Sequence, residues 1–177
     1  AEMAAASPLI FALCLAVESF AAASTPRPQI EVYESAGNLE SKNDLGCVGI
    51  GKLSNRHTPA DLYKALARCI EQGKLKDGVF ISALAGVYGR FDTLRVADRT
   101  AHQAMTALSM SLHSLDKDKR DAFVGILKKT AGNPKGLAAL CENIMRLGPP
   151  DYYPRYMIQH GICNIRKIIC CIQIRVC

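Results

Sequence analysis

Residues 58–88 read TPADLYKALARCIEQGKLKDGVFISALAGVY, and this stretch decides the fold. Thr58 offers a hydroxyl where a helix N-cap wants one. Pro59 takes the first helical position, where a missing N–H costs nothing, and Asp61 lies near the positive end of the helix dipole. Apolar residues then recur at Leu62, Leu66, Cys69 and Ile70, the spacing of one buried stripe, and Gly73 closes the turn. The spacing predicts a first helix over 58–72. A second follows over 75–88, where Val79, Phe80, Ile81, Ala83, Leu84, Ala85 and Val87 leave hardly any polar side, so it belongs at the centre of a bundle. Gly89 is expected to end it.

Working outward, Asp92 reads as the cap of a third helix over 93–113, with Val96, Ala97, Ala101, Ala104, Leu108 and Leu112 on its core side. Asp116 opens a fourth over 116–131, carrying Phe123, Ile126 and Leu127. Pro134 opens a fifth over 134–147, with Leu137, Leu140, Cys141, Ile144 and Leu147 turned inward and Gly148 as its stop. Connections this short imply antiparallel neighbours. The expected fold class is all-α: a compact antiparallel bundle of about five helices, with a short extended N-terminal segment and a Tyr/Pro-rich C-terminal strap.

The pair just quoted (ARCIEQGKLKDGVFISALAGVYG, 67–89) resembles one helix-turn-helix unit of tetratricopeptide-like or Sel1-like arrays over roughly 30 residues. It lacks the repeat's Trp, and no second copy follows at that period, so the resemblance implies a mode of packing and no more.

The flanks divide the chain further. Residues 1–25 read as a signal peptide: Ala4 to Val17 is apolar and too short to span a bilayer core of about 30 Å, and Ala21-Ala22-Ala23-Ser24 suits a signal peptidase. The basic residue that normally opens such a segment is missing, and the alternative is a first buried helix. Residues 26–57 form an extended or loop lead-in, with QIEVY (29–33) alternating like a short strand. Its Gly-rich GCVGIG (46–51) lacks the GKS or GKT of a phosphate loop and reads as a tight loop anchored by a bridge. The bundle domain covers 58–161. Residues 162–177 are a Cys/Ile-rich tail whose composition breaks with the rest. It could be a strand stapled by disulfides, a membrane-surface segment or an adventitious out-of-frame sequence, and it is assigned no function.

Composition narrows the function. The 177 residues are 49% hydrophobic, which excludes wholesale disorder, and carry 22 Lys+Arg against 16 Asp+Glu, a net charge of +6. Residues 58–150 hold fourteen basic and nine acidic residues. The charges alternate in sign, as at Lys117, Asp118, Lys119, Arg120 and Asp121, which is the pattern of a solvated helix face and argues against a nucleic-acid partner. No segment is long enough to remain as a membrane span once the signal is removed. The spacing of the eight Cys and four His fits no zinc motif, so no metal and no cofactor are expected. If the chain is exported, one bridge should form among Cys47, Cys69 and Cys141. Cys69 with Cys141 is the favoured pair, because both fall on apolar helix faces.

Two clusters could act. Arg95, Asp98, Arg99 and His102 share one side of the expected third helix, either as an acid–base or anion site or as ordinary i,i+3 and i,i+4 pairs. Residues 149–161, PPDYYPRYMIQHG, gather Tyr152, Tyr153, Arg155, Tyr156 and His160, side chains suited to interfaces, on a segment stiffened by three prolines. No nucleophile motif occurs. The expected function is therefore an exported, secreted or periplasmic, non-enzymatic protein that binds another protein. Its general profile is similar to that of small periplasmic immunity or inhibitor proteins. The strap (Tyr152, Tyr153, Arg155, Tyr156, His160) and the adjoining Arg95, Arg99 and His102 would meet an acidic partner surface. The alternatives are a cytoplasmic helical scaffold that retains its N-terminal helix, and a small hydrolase using Asp98 and His102.

Overall fold

The computed structural model describes residues 35–165. The signal-peptide reading of 1–25, the QIEVY strand at 29–33 and the tail beyond 165 lie outside the described residues. Within them the chain is all-α, and no strand occurs among the described residues.

The first helix, α1 (Pro59–Glu71), starts as its sequence dictates. The Thr58 hydroxyl accepts from the Asp61 N–H, and the Asp61 carboxylate accepts from the Thr58 N–H, closing a capping box. Leu62, Leu66, Cys69 and Ile70 are all fully buried. After the turn at Gly73, α2 (Leu75–Arg95) doubles back, and Gly78 lets it lie against Leu66 and Cys69 of α1.

Here the structure corrects the expected boundary. Helix α2 does not stop at Gly89 but runs on to Arg95. Gly89 is buried and helical. A Cβ there would overlap the Met105 side chain, so the glycine marks a close crossing rather than an end. Asp92, expected as a cap, therefore lies inside α2 and is fully buried.

The expected third helix over 93–113 breaks accordingly. Val96 is extended, Asp98 caps a 3-10 turn (Arg99–Gln103), α3 covers only Ala104–Met110, and a second 3-10 turn (Ser111–Ser114) follows. Most of its core side survives the break, since Val96, Ala101, Ala104 and Leu108 are buried, but Leu112 is half-buried and Ala97, in the extended stretch after α2, is exposed. The next two helices match their expected boundaries closely, although Leu137 and Cys141, expected inward, are exposed on the second of them. Asp116 caps α4 (Lys117–Ala131), Asn133 caps α5 (Pro134–Leu147), and Gly148 ends α5 at φ +79°, a conformation that favours glycine.

Single helical turns, α6 (Arg155–Ile158) and α7 (Ile162–Ile165), complete the described residues. Two apolar clusters form. One joins α1, α2, Phe123 of α4 and Ile144 of α5. The other joins Ala60, Val96, Ala101, Ala104 and Leu108 to Tyr156 and Met157. The strap thus contributes core side chains of its own.

The expected disulfide is also corrected. Cys69 pairs with Cys47, 22 residues earlier, at a Cα–Cα distance of 4.7 Å, while Cys141 is free and exposed. Cys69 does face the core, as its spacing predicts. The Gly-rich loop carrying Cys47 comes to it, whereas Cys141 lies on the outer side of α5.

Candidate functional site

The strap and the lead-in face each other across the start of α1 and leave a small pocket between them, about 150 Å³ in volume. Each wall is fixed by a buried carboxylate.

The lead-in wall is held by Asp61. Besides the Thr58 N–H, its oxygens accept from the backbone N–H groups of Lys42 (2.8 Å) and Asn43 (2.9 Å), the Asn43 side-chain amide (2.9 Å) and the Ser41 hydroxyl (3.0 Å). Burial pushes the Asp61 carboxyl up, but the hydrogen bonds from Asn43, Thr58 and Ser41 outweigh it and hold it below the ordinary range. One side chain thus caps a helix and ties down a loop some twenty residues upstream. This places Gly37, Glu40, Lys42 and Asn43 along one side of the pocket.

The strap wall is held by Asp92. Its Oδ2 accepts from the hydroxyls of Tyr156 (2.7 Å) and Tyr152 (3.0 Å). Its Oδ1 accepts from Arg95 Nε (2.9 Å) and forms an ion pair with Nη2 at 2.7 Å. Burial is the largest influence and raises the Asp92 carboxyl despite these three hydrogen bonds and the ion pair. Burial and the facing carboxylate push both tyrosine hydroxyls far above their ordinary range, so they remain protonated donors. The Arg95 guanidinium lies over the rings of Phe91 (5.3 Å) and Tyr152 (5.1 Å), which keeps it aimed at Asp92.

Backbone bonds fasten the rest of the strap. Tyr88 donates to the Gly148 carbonyl, the Asp151 N–H to the Asn55 carbonyl, and the Leu39 N–H to the Tyr156 carbonyl. His160 Nδ1 meets the Asn38 side-chain oxygen at 2.9 Å.

The structure therefore separates the residues that the sequence grouped. Tyr152, Tyr153, Arg155 and Tyr156 do line one pocket. Tyr156 is 2% exposed and, with Tyr152, serves as an anchor through Asp92, whereas Tyr153 is 72% exposed. Arg155 lies along Gly37, whose φ of +92° and close approach suit a residue without a side chain.

The Arg95–His102 cluster does not converge on that pocket. Arg95 faces Asp92 beneath Tyr152. Arg99 is exposed on the 3-10 turn, and His102 Nε2 meets the Val96 carbonyl at 2.8 Å. Asp98 accepts from the Thr100 N–H and hydroxyl and from the Cys163 N–H, so it and His102 engage different partners. The break after Arg95 is the reason, because Asp98 now caps a 3-10 turn and is held by Thr100 and Cys163, while His102 inside that turn reaches back to Val96.

Three lining residues have no sequence signal. Lys42, Arg56 and Glu40 come from a lead-in whose charges balance in sequence, and only folding sets Lys42 and Arg56 beside Arg155. The pocket thus carries three cations against the single carboxylate of Glu40. Arg56 also makes an exposed ion pair with Asp151 (3.5 Å). No group of three His, Cys, Asp or Glu able to hold a metal ion occurs among the described residues. Comparison with protein-family models, with curated proteins and with solved structures finds no match for this chain.

Proposed function

We propose that the chain is a non-enzymatic protein-binding domain of the inhibitor or immunity type, working outside the cytosol, and that it takes an acidic segment of its partner at the strap pocket. The observation that carries this reading is the two-sided strap. Its inner tyrosines are locked to Asp92, while Tyr153 and Arg155 face outward beside Lys42 and Arg56.

A surface of this kind has little freedom to lose on binding, since Pro149, Pro150 and Pro154 stiffen it and its backbone is already bonded. Exposed Tyr and Arg supply contact area and bidentate donors, and the surplus of cations favours a carboxylate-bearing partner. The Cys47–Cys69 bridge supports an oxidising compartment.

Selection of the immobilised protein against a library of random short peptides tests the reading. Enriched peptides should carry Asp or Glu beside an apolar residue. Their affinity should fall about tenfold or more in Tyr153→Ala and in Arg155→Ala, each removing one hot-spot side chain. Enrichment of neutral or basic peptides, or binding indifferent to both substitutions, would remove the strap pocket from the account.

A further inference from the structure

Helix α5 has a well-formed apolar stripe, Leu137, Leu140, Ile144 and Leu147, yet Ile144 is its only buried residue. The row facing it on α2 is equally apolar: Val79, Ala83, Val87 and Phe91, one residue per turn. Val79 is 3% exposed, but Val87 is 47% and Phe91 40% exposed. The two helices run in the same direction. The start of α5 lies beside Lys76 and Val79, and its end lies beside Tyr88. Along this seam between the helices, about 20 Å long, two separate clefts open, one at each end, with no lining residue in common.

The two openings differ in charge. Near the α4–α5 turn the cleft encloses about 710 Å³, with Val79, Ile126 and Leu140 as its floor and Lys76, Lys129 and Lys135 at its rim. None of these lysines forms an ion pair among the described residues. At the far end a cleft of about 300 Å³ lies among Val87, Phe91, Met145 and the two prolines after Gly148, and no charged residue lines it. Both volumes fall in the range of small-molecule sites.

We propose that this seam binds a single-chain anionic amphiphile, its head among Lys76, Lys129 and Lys135 and its tail laid along α2 and α5 toward Val87 and Met145. The charge distribution selects this occupant. An acidic amphipathic helix carries its charges along its whole length and would want cations along the whole rim. Among the residues lining the two clefts they stand at one end, which matches a molecule charged at one end only. The tail would cover the apolar stripe that α5 leaves open. This site is separate from the strap pocket, and neither reading depends on the other.

Calorimetric titration of the full chain with palmitate, kept below its aggregation limit, is the test. Saturable binding to one site is expected, with none for butyrate, which has the head and no tail. The pair Lys129→Glu, Lys135→Glu should weaken palmitate about tenfold or more. Val87→Glu, at an exposed position that leaves the core intact, should weaken palmitate while sparing decanoate, whose tail stops short of it. Several results would overturn the proposal: no palmitate binding, equal affinity in the charge-reversed pair, or tighter competing binding of a synthetic acidic helix the length of α5. Sedimentation with anionic phospholipid vesicles without uptake of monomeric palmitate would also overturn it, by making the seam a membrane-facing surface.

Discussion

At Asp92 a carboxylate sits fully buried in the longest helix and collects hydrogen bonds from Tyr152, Tyr156 and Arg95. Asp61 is equally buried and collects five, mostly from the lead-in. The two differ in sign. Burial wins at Asp92 and raises its pKa, so ionisation there costs stability as pH climbs through the carboxylate range. Hydrogen bonding wins at Asp61 and lowers its pKa, so its contribution is complete above the unfolded value of about 3.9 and vanishes as acid drops the pH through the depressed one. Two measurements follow. Asp61→Asn should cost roughly 2–4 kcal/mol in urea unfolding at pH 7, since it breaks a buried charged network. That deficit should begin to shrink below about pH 4, where the unfolded chain takes up a proton that the folded carboxylate still resists, and should close as pH falls through the depressed folded value. Tyr156→Phe should cost about 1.5–3 kcal/mol at pH 7, the range for a hydrogen bond to a charged group, and less in acid as Asp92 protonates. A deficit for either variant that stays constant from pH 7 to pH 3 would contradict this account. Asp61's place at the start of α1 was legible in the sequence, but neither its hold on the lead-in nor the role of Asp92 was. Asp92 precedes Thr-Leu-Arg and resembles a cap, and its tyrosine partners lie sixty and more residues away.

Among the elements, α1, α4 and α5 were legible because each carries its own punctuation: Thr58 with Pro59, Asp116, and Asn133 with Pro134. The end of α2 was not. A glycine inside a helical pattern has two readings, a stop or a close contact, and the Met105 side chain that decides between them belongs to another element. The same limit applies to strength. Helices α4 and α5 are well capped, but each buries a single residue, Phe123 and Ile144, whereas α1 buries eight and α2 nine. Capping fixes where a helix starts; buried contacts fix how firmly it is docked. The α4–α5 hairpin should therefore open at lower free energy than the α1–α2 pair. Amide exchange followed by mass spectrometry should show peptides from 117–147 exchanging well before those from 59–95. Phe123→Ala should widen that gap while costing about 3 kcal/mol or more. Uniform protection across both pairs would mean that the apolar seam beside α5 is filled in the free protein.

Across the whole molecule, the pocket exists because the bundle is fastened to segments on both sides of it. The strap docks through Asp92 and the second apolar cluster, and the lead-in docks through Asp61 and the Cys47–Cys69 bridge. Sequence arithmetic anticipated that one bridge would form but not its partners. Cys69 and Cys141 both fall on apolar stripes, and although the loop at 46–51 reads as bridge-anchored, nothing in the spacing reveals that its partner is Cys69 while Cys141 turns outward. The bridge closes a loop of 22 residues, and its loss should release about 3 kcal/mol of unfolded-state entropy. Its second effect is local. Asp61 holds the lead-in at Ser41, Lys42 and Asn43, so residues 45–53 depend on the bridge far more than the pocket wall does. Cys47→Ser, or mild reduction, should lower the midpoint of thermal unfolding by several degrees or more. The peptide covering 45–53 should lose its amide protection while the strap and the residues around Lys42 keep theirs. Binding at the strap pocket should then survive reduction. Loss of binding on reduction would show that the bridge, rather than Asp61, sets the shape of that wall.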